Sequence, residues 1–239
     1  MIKVFSILLF TVTVLFFACN KADTSIPLPK LNFADTSETN PSLDSTSFGV
    51  YKAVLAGNTG RVKIYINNGD TIVKAYLSLD SLSDTLACLQ PLTQAQSIGN
   101  AFFTGRISSF TLSADADGNN AAIENIIVTG HSNVAGAVAH ENSGLPVFCY
   151  EAPFTGTEKG NFNFIRYGST VAGVAVGSNG AVYSGKGLLT GSVFSIQMNG
   201  PSATTATFQG GLNNTLDYYS GSWVVDANNS GVFNGKRTL

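Results

Sequence analysis

The sequence predicts an all-β protein, an antiparallel meander closing into a barrel or a sandwich, and three observations carry that expectation. Asp, Glu, Lys and Arg make up only 12% of the 239 residues, about half the usual share, while Gly, Ser, Thr and Asn fill 92 positions. Turn signals such as Asn-Gly, Asp-Gly and Gly-Gly recur at short intervals. Between them apolar and polar residues alternate with period two, the pattern of half-buried strands. So few charges leave little from which to build long exposed helices with their i,i+4 ion pairs. The 13 Lys and Arg are outnumbered by 15 Asp and Glu, so the basic excess that nucleic acid demands is missing. A hydrophobic fraction of 44% with a net charge of −2 also excludes intrinsic disorder.

The chain starts with a short positive region at Lys3 and an apolar run of 14 residues from Val4 to Phe17. A membrane-spanning helix needs about 20 residues, so the run fits the core of a signal peptide over residues 1–18. It ends Phe16-Phe17-Ala18-Cys19, and polar residues follow at once. A small residue directly before Cys at this place resembles the lipobox of bacterial lipoproteins. That resemblance implies that Cys19 becomes the mature N-terminus and carries a diacylglycerol thioether and an N-acyl chain such as palmitate. Two or more chains anchor stably, since each buried methylene contributes about 0.8 kcal/mol. Asn20 rather than Asp follows the Cys, which by the same resemblance favours the outer membrane; the face, periplasmic or external, stays open.

Residues 19–47 read as the lipidated Cys and a tether. Pro27, Pro29 and Pro41 break any helix, and the Asp-, Ser- and Thr-rich stretches lack apolar periodicity. As a free coil the segment would span on the order of 30 Å. Ile26, Leu28, Leu31 and Phe33 offer the alternative that part of it packs on the domain.

Residues 48–239 form the β-domain. Arg61-Val62-Lys63-Ile64-Tyr65-Ile66 alternates, Asn68-Gly69 marks a type I′ hairpin, and Val73, Ala75, Leu77 and Leu79 resume the alternation. Repeating this grammar along the chain gives about a dozen strands. Residues 51–75 and 150–173 align: Tyr51 with Tyr150, Gly57 with Gly156, Gly60 with Gly160, Ile64 with Phe164, Gly69 with Gly168. Phe103 to Arg106 likewise echoes Tyr183 to Lys186. Two readings fit, a true repeat with halves 48–145 and 146–239, or the spacing that any Gly-punctuated hairpin enforces. On the repeat reading residues 81–101 are an insertion, with Leu82, Leu86 and Leu89 at helical spacing for one short helix that Pro91 limits. The Gly-bounded segments from Tyr183 to Leu239, with Phe148-Cys149-Tyr150-Glu151 before them, resemble uncharacterised β-rich lipoproteins of the Bacteroidota. That resemblance implies no catalytic residues.

Candidate chemistry is sparse. Cys88 and Cys149 could form a disulfide closing a loop of about 60 residues, worth about 3–4 kcal/mol, or stay separate buried thiols. His131, His140 and Glu141 are potential zinc ligands, but a nine-residue spacing suits neither a helical pair nor one face of a strand. Asp115-x-Asp117-Gly118-Asn119 is the beginning of a calcium loop or, more simply, a hairpin tip. No metal or cofactor is therefore expected. Glu124, Glu141, Glu151 and Asp226 are the carboxylates a hydrolase would turn inward, though no spacing pairs them. Neither a nucleophile elbow nor a phosphate loop occurs in the sequence. Tyr218, Tyr219 and Trp223, beside Asn213, Asn214 and Asp217, are candidates for stacking on a carbohydrate, the alternative being core packing. The expectation is a non-catalytic binding or structural module of the cell envelope, held to the membrane by lipid, with a glycan or an envelope protein as partner.

Overall fold

A computed structural model of the chain describes Leu31 and residues 33–239. Lys3, the run from Val4 to Phe17, Cys19, Ile26 and Leu28 lie outside the described residues.

Among the described residues sixteen strands follow one another in two sets of eight. The first set is β1 (Gly49–Ala56), β2 (Gly60–Ile66), β3 (Val73–Leu79), β4 (Leu82–Cys88), β5 (Ile98–Thr104), β6 (Ser108–Ala114), β7 (Ala122–Val128) and β8 (Ala135–Glu141). The second is β9 (Val147–Gly156), β10 (Gly160–Tyr167), β11 (Thr170–Gly177), β12 (Val182–Thr190), β13 (Val193–Asn199), β14 (Thr205–Leu212), β15 (Tyr218–Asp226) and β16 (Asn229–Arg237). Every ladder is antiparallel. In the second half β16 returns to β9 and closes a barrel. In the first half β8 returns to β1 in the same way, but β7 and β8 lie together without a ladder, leaving a barrel-like sheet with one open seam.

The halves repeat one plan. Tyr51 pairs across the ladder with Ile64, and Tyr150 with Phe164. All four side chains are fully buried, each pair inside its own half. Gly57 and Gly156 both hold positive φ as the first strand of each half ends. The match of Phe103 with Tyr183 does not hold, because Phe103 lies near the end of β5 and Tyr183 near the start of β12.

Residues 82–88 are strand β4, the counterpart of β12, and not an inserted helix. Leu82 and Leu86 stand four apart, a spacing that satisfies the period of two as well as that of 3.6, and both lean into the core. Among the described residues the only helical turns are short 3₁₀ turns at Pro41–Leu43 and Pro201–Ala203. The β2–β3 connection also departs from the two-residue hairpin: it runs 67–72, with Asn67 and Gly69 both at positive φ.

The second barrel is filled by rings. Tyr150, Phe162, Phe164, Phe194, Phe208, Tyr219, Trp223 and Phe233 are all buried within it. Eight strands enclose little room for so many aromatics, so cross-strand partners shrink to glycine: Gly221 faces Phe233, and Gly210 faces Phe194. The halves meet back to back through small apolar residues. Val54, Ala56 and Ala139 of the first pack on Cys149, Ile165, Ala172 and Val174 of the second. This is why β1 is buried along its whole length rather than on alternate residues. Asn163 closes the joint, donating from Nδ2 to the Leu55 carbonyl at 2.6 Å.

Candidate functional site

The structure separates the aromatic trio. Alternation along β15 turns Tyr219 and Trp223 into the barrel, 3% and 4% exposed, where the Tyr219 hydroxyl donates to the Phe162 carbonyl (2.9 Å) and Trp223 Nε1 to that of Thr155 (3.1 Å). Trp223 borders a small cavity of about 160 Å³ at the barrel end with Phe154, Tyr183 and Phe208. Tyr218, one residue out of phase, points outward beside Asn234 and Lys236. Tyr218 and Tyr219 border one open hollow of about 670 Å³ with Asn213 and Asn234, but Trp223 does not, so the three share no stacking surface.

The remaining predicted residues go to separate places. Cys88 and Cys149 are both free thiols: Cys88 ends β4, whereas Cys149 is buried between the halves with its Sγ 3.8 Å from the Ala53 carbonyl. His131 lies 3.3 Å from Asp80 in the loop after β7, while His140 stacks on Tyr51 at 4.6 Å near the other end of the sheet. Burial holds the His140 imidazole below its usual pKa, even with Asp44, Glu141 and Asp117 opposing. No group of three metal-ligating side chains occurs among the described residues. Asp117 and Gly118 sit at the tip of the β6–β7 connection, where Asp117 accepts from the Asn119 N–H at 3.0 Å. Glu124 is exposed on β7, and Asp226 accepts from the N–H groups of Asn228 and Asn229 in the β15–β16 turn.

A different site assembles on the outer face of β2, β3 and β4. Alternation puts Arg61, Lys63 and Tyr65 outward from β2, Tyr76 and Ser78 from β3, and Ser83 and Thr85 from β4. The ladder sets Arg61 opposite Ser78, Lys63 opposite Tyr76 and Tyr65 opposite Lys74. Together with Arg106 these residues line an open groove of about 700 Å³ that also touches Leu239 of the second half. A second hollow of about 370 Å³, lined by Thr59, Glu151, Tyr218, Lys236 and Thr238, lies across the joint. Between the two, Arg61 Nη1 approaches Glu151 Oε1 at 3.8 Å. Burial raises the Glu151 pKa, and the Thr238 hydroxyl at 2.8 Å, Arg61 and Lys236 do not cancel it.

Sequence reasoning passed over this face because each residue reads locally as an ordinary outward strand position. The concentration of cations and tyrosines at the outward positions of 61–76 was the available signal. Arg106 joins through a gap in the sheet. The β4–β5 ladder has only two residue pairs, Ala87 with Thr104 and Cys88 with Phe103. Asp84 fills the opening by accepting from the N–H groups of Arg106, Ile107 and Ser108 and from the Ser108 hydroxyl. Burial alone would raise the Asp84 pKa; these donors outweigh it and hold the carboxyl below its ordinary value.

The segment before β1 is a strap and not a free coil from Leu31 onward. The Leu31 N–H donates to Asp217 Oδ2 (2.9 Å). Arg237 pairs with Asp35 (2.5 Å), donates to the Ala34 carbonyl, and lies over the rings of Phe148 (4.3 Å) and Phe33 (5.6 Å). Further along, Glu38 accepts from Lys63 and from the Tyr65 hydroxyl, both at 2.8 Å. Burial acts to raise the Glu38 pKa, but these partners hold it low; burial and Glu38 push the Tyr65 phenol up. Asp44 then accepts from Ser143 N–H (2.7 Å) and hydroxyl (2.5 Å), which depresses its pKa. The strap thus ties the second half to the first.

Fold and site together define a two-lobed all-β protein with a strap across one end and a basic, tyrosine-bearing groove on its first lobe. No family model and no curated protein matches the chain. Among solved structures it is similar to a mutant of transferrin binding protein B from Actinobacillus pleuropneumoniae H49, with 9% identity, 79% of this chain and 99% of that chain covered, and a TM-score of 0.31. A surface lipoprotein aligns at 10% identity over 79% and 98% of the two chains, with a TM-score of 0.31. HpuA from Kingella denitrificans, solved in complex with human haemoglobin, aligns at 9% identity over 85% and 90%, with a TM-score of 0.32. At such scores the likeness carries nothing about what this chain binds.

Proposed function

We propose that this protein is a lipid-anchored, non-catalytic binding module of the bacterial cell envelope, held at the outer membrane through Cys19. The observation that carries this reading is Ala18-Cys19 at the end of the apolar run, followed directly by polar sequence. The strap is compatible with an anchor upstream of it: Leu31 docks at Asp217, in the turn between β14 and β15. A binding role is further supported by a groove whose volume, about 700 Å³, falls among small-ligand sites.

The test is a Cys19→Ala variant expressed in a Gram-negative host. It should lose incorporation of labelled palmitate and leave the membrane fraction. Continued membrane association without label would overturn the anchor.

A further inference from the structure

We infer that the outer face of β2–β4 is a binding site for an acidic oligosaccharide, a reading that rests on the binding role proposed above and names its ligand class. The first support is charge placement. The chain carries a net charge of −2, yet four of its 13 basic residues, Arg61, Lys63, Lys74 and Arg106, gather at this one sheet face. The acids nearby are already engaged: Glu38 by Lys63 and Tyr65, Asp84 by five donors, and Glu151 by Thr238. Among the described residues Arg106 makes no ion pair, and the Lys74 ammonium rests only over the Tyr76 ring at 5.2 Å. An anionic group entering the groove would meet cations whose compensation is partial, in a concave site that concentrates their field.

The second support is the mixture of groups between those cations. Tyr76 is 43% exposed, meets Tyr65 in a T-shaped pair at 6.0 Å and carries the Lys74 ammonium over its ring, so an exposed aromatic side chain lies among the charges. Ser78, Ser83 and Thr85 supply a row of hydroxyls next to it. An aromatic face suits the C–H side of a sugar ring, hydroxyls suit its hydroxyls, and guanidinium groups suit carboxylate or sulfate substituents bidentately. Scale separates this ligand from a protein. The groove has the volume of a small-molecule site, whereas a stable protein interface covers about 800 Å² per partner around buried aromatic anchors. The acidic remainder of the molecule also opposes a long polyphosphate.

The experiment uses the full lipidated protein in detergent micelles, titrated calorimetrically with short oligogalacturonates, with their methyl-esterified neutral twins, and with chondroitin sulfate oligosaccharides. The acidic sugars should bind, and esterification should weaken binding about tenfold or more, the value of one charge-assisted hydrogen bond. Oligogalacturonate carries carboxylate alone and chondroitin sulfate both groups, so tighter binding of the latter shows that sulfate adds to recognition, and equal binding shows that carboxylate suffices. Arg106→Gln and Tyr76→Ala, both at exposed positions, should each weaken binding by about fivefold to tenfold, while Lys186→Gln on β12 should not. Failure of both acidic sugars to bind, equal binding of the neutral twin, or equal binding of polyglutamate would overturn the proposal. These outcomes are independent of the palmitate label, so loss of the anchor and loss of the ligand can be told apart.

Discussion

The Lys52 ammonium lies 2.6 Å from Glu141 Oε1 with both side chains buried, and this pair is the point where strap and halves converge. The same carboxylate accepts the Val147 N–H that opens β9 and the Glu38 N–H of the strap, each at 2.9 Å. Lys52 also reaches Glu38 at 3.5 Å. Removing one member of a buried, hydrogen-bonded pair leaves the other charge without compensation, at a cost of about 3–5 kcal/mol. Glu141→Ala should therefore lower the unfolding free energy by about that amount. A Lys52→Met, Glu141→Leu double variant should recover only the charge part of the loss in urea titrations, because the Val147 and Glu38 N–H groups still lack their acceptor. A loss below about 1 kcal/mol in the single variant would mean that the pair is no more than a surface bridge.

The barrel's dependence on glycine gives a sharper test. A methyl group on Gly221 would lie 2.6 Å from Phe233 Cζ and 2.1 Å from the Gln209 carbonyl oxygen. The ring could shift, but the carbonyl belongs to a ladder strand and cannot. Gly221→Ala should cost about 3 kcal/mol, the upper range for overpacking. Gly144→Ala, where nothing lies within 4 Å, is the control and should change stability by less than about 0.5 kcal/mol. Equal thermal melting points for the two variants would refute the crowded-barrel account.

These two sites show what the sequence made legible. Period-two alternation located β2 and β3, and the alignment of Tyr51 with Tyr150 identified equivalent core positions in β1 and β9, because local pleat and turn chemistry decide both. It failed at β4, where Leu82 and Leu86 satisfy two periods at once. The expected dozen strands also fell short of the sixteen among the described residues; inward glycines such as Gly210 and Gly221 carry no apolar signal. The groove was hidden for another reason. Arg106 reaches it only because β4 and β5 part company, and Glu38 only because the strap folds back, and neither contact has a local trace.

Asp84 links pH to that gap. Its carboxyl is held below the ordinary value, so its contribution to stability is present above the unfolded pKa near 3.8 and disappears as pH falls through the lower folded value. Asp84→Asn should lose about 1–2 kcal/mol near neutral pH, a figure reduced for partial exposure. The difference from the parent should vanish in strongly acidic buffer. Urea titrations of both proteins across pH 2–7 measure it, and a gap that persists unchanged at the acidic end would assign the effect to side-chain shape instead of charge.

The two unbridged thiols should react very differently. Burial pushes the Cys149 thiol up to about 12, against the opposing pull of Lys52 and Arg61, and the residue is fully enclosed between the halves. At pH 7 the thiolate fraction is then roughly 10⁻⁵, and a reagent has no path to it. Cys88 is half-buried at the end of β4, and burial raises its pKa too, so it should react slowly in the native protein. Titration with an aromatic disulfide reagent should thus find one slow thiol in the folded protein. Unfolding in urea without reductant should expose the second, measured in a Cys19→Ala background so that only these two cysteines count. Finding no reactive thiol after unfolding would mean that Cys88 and Cys149 are joined in the cell, and that the halves must shift from the packing seen at Ala53 to allow it.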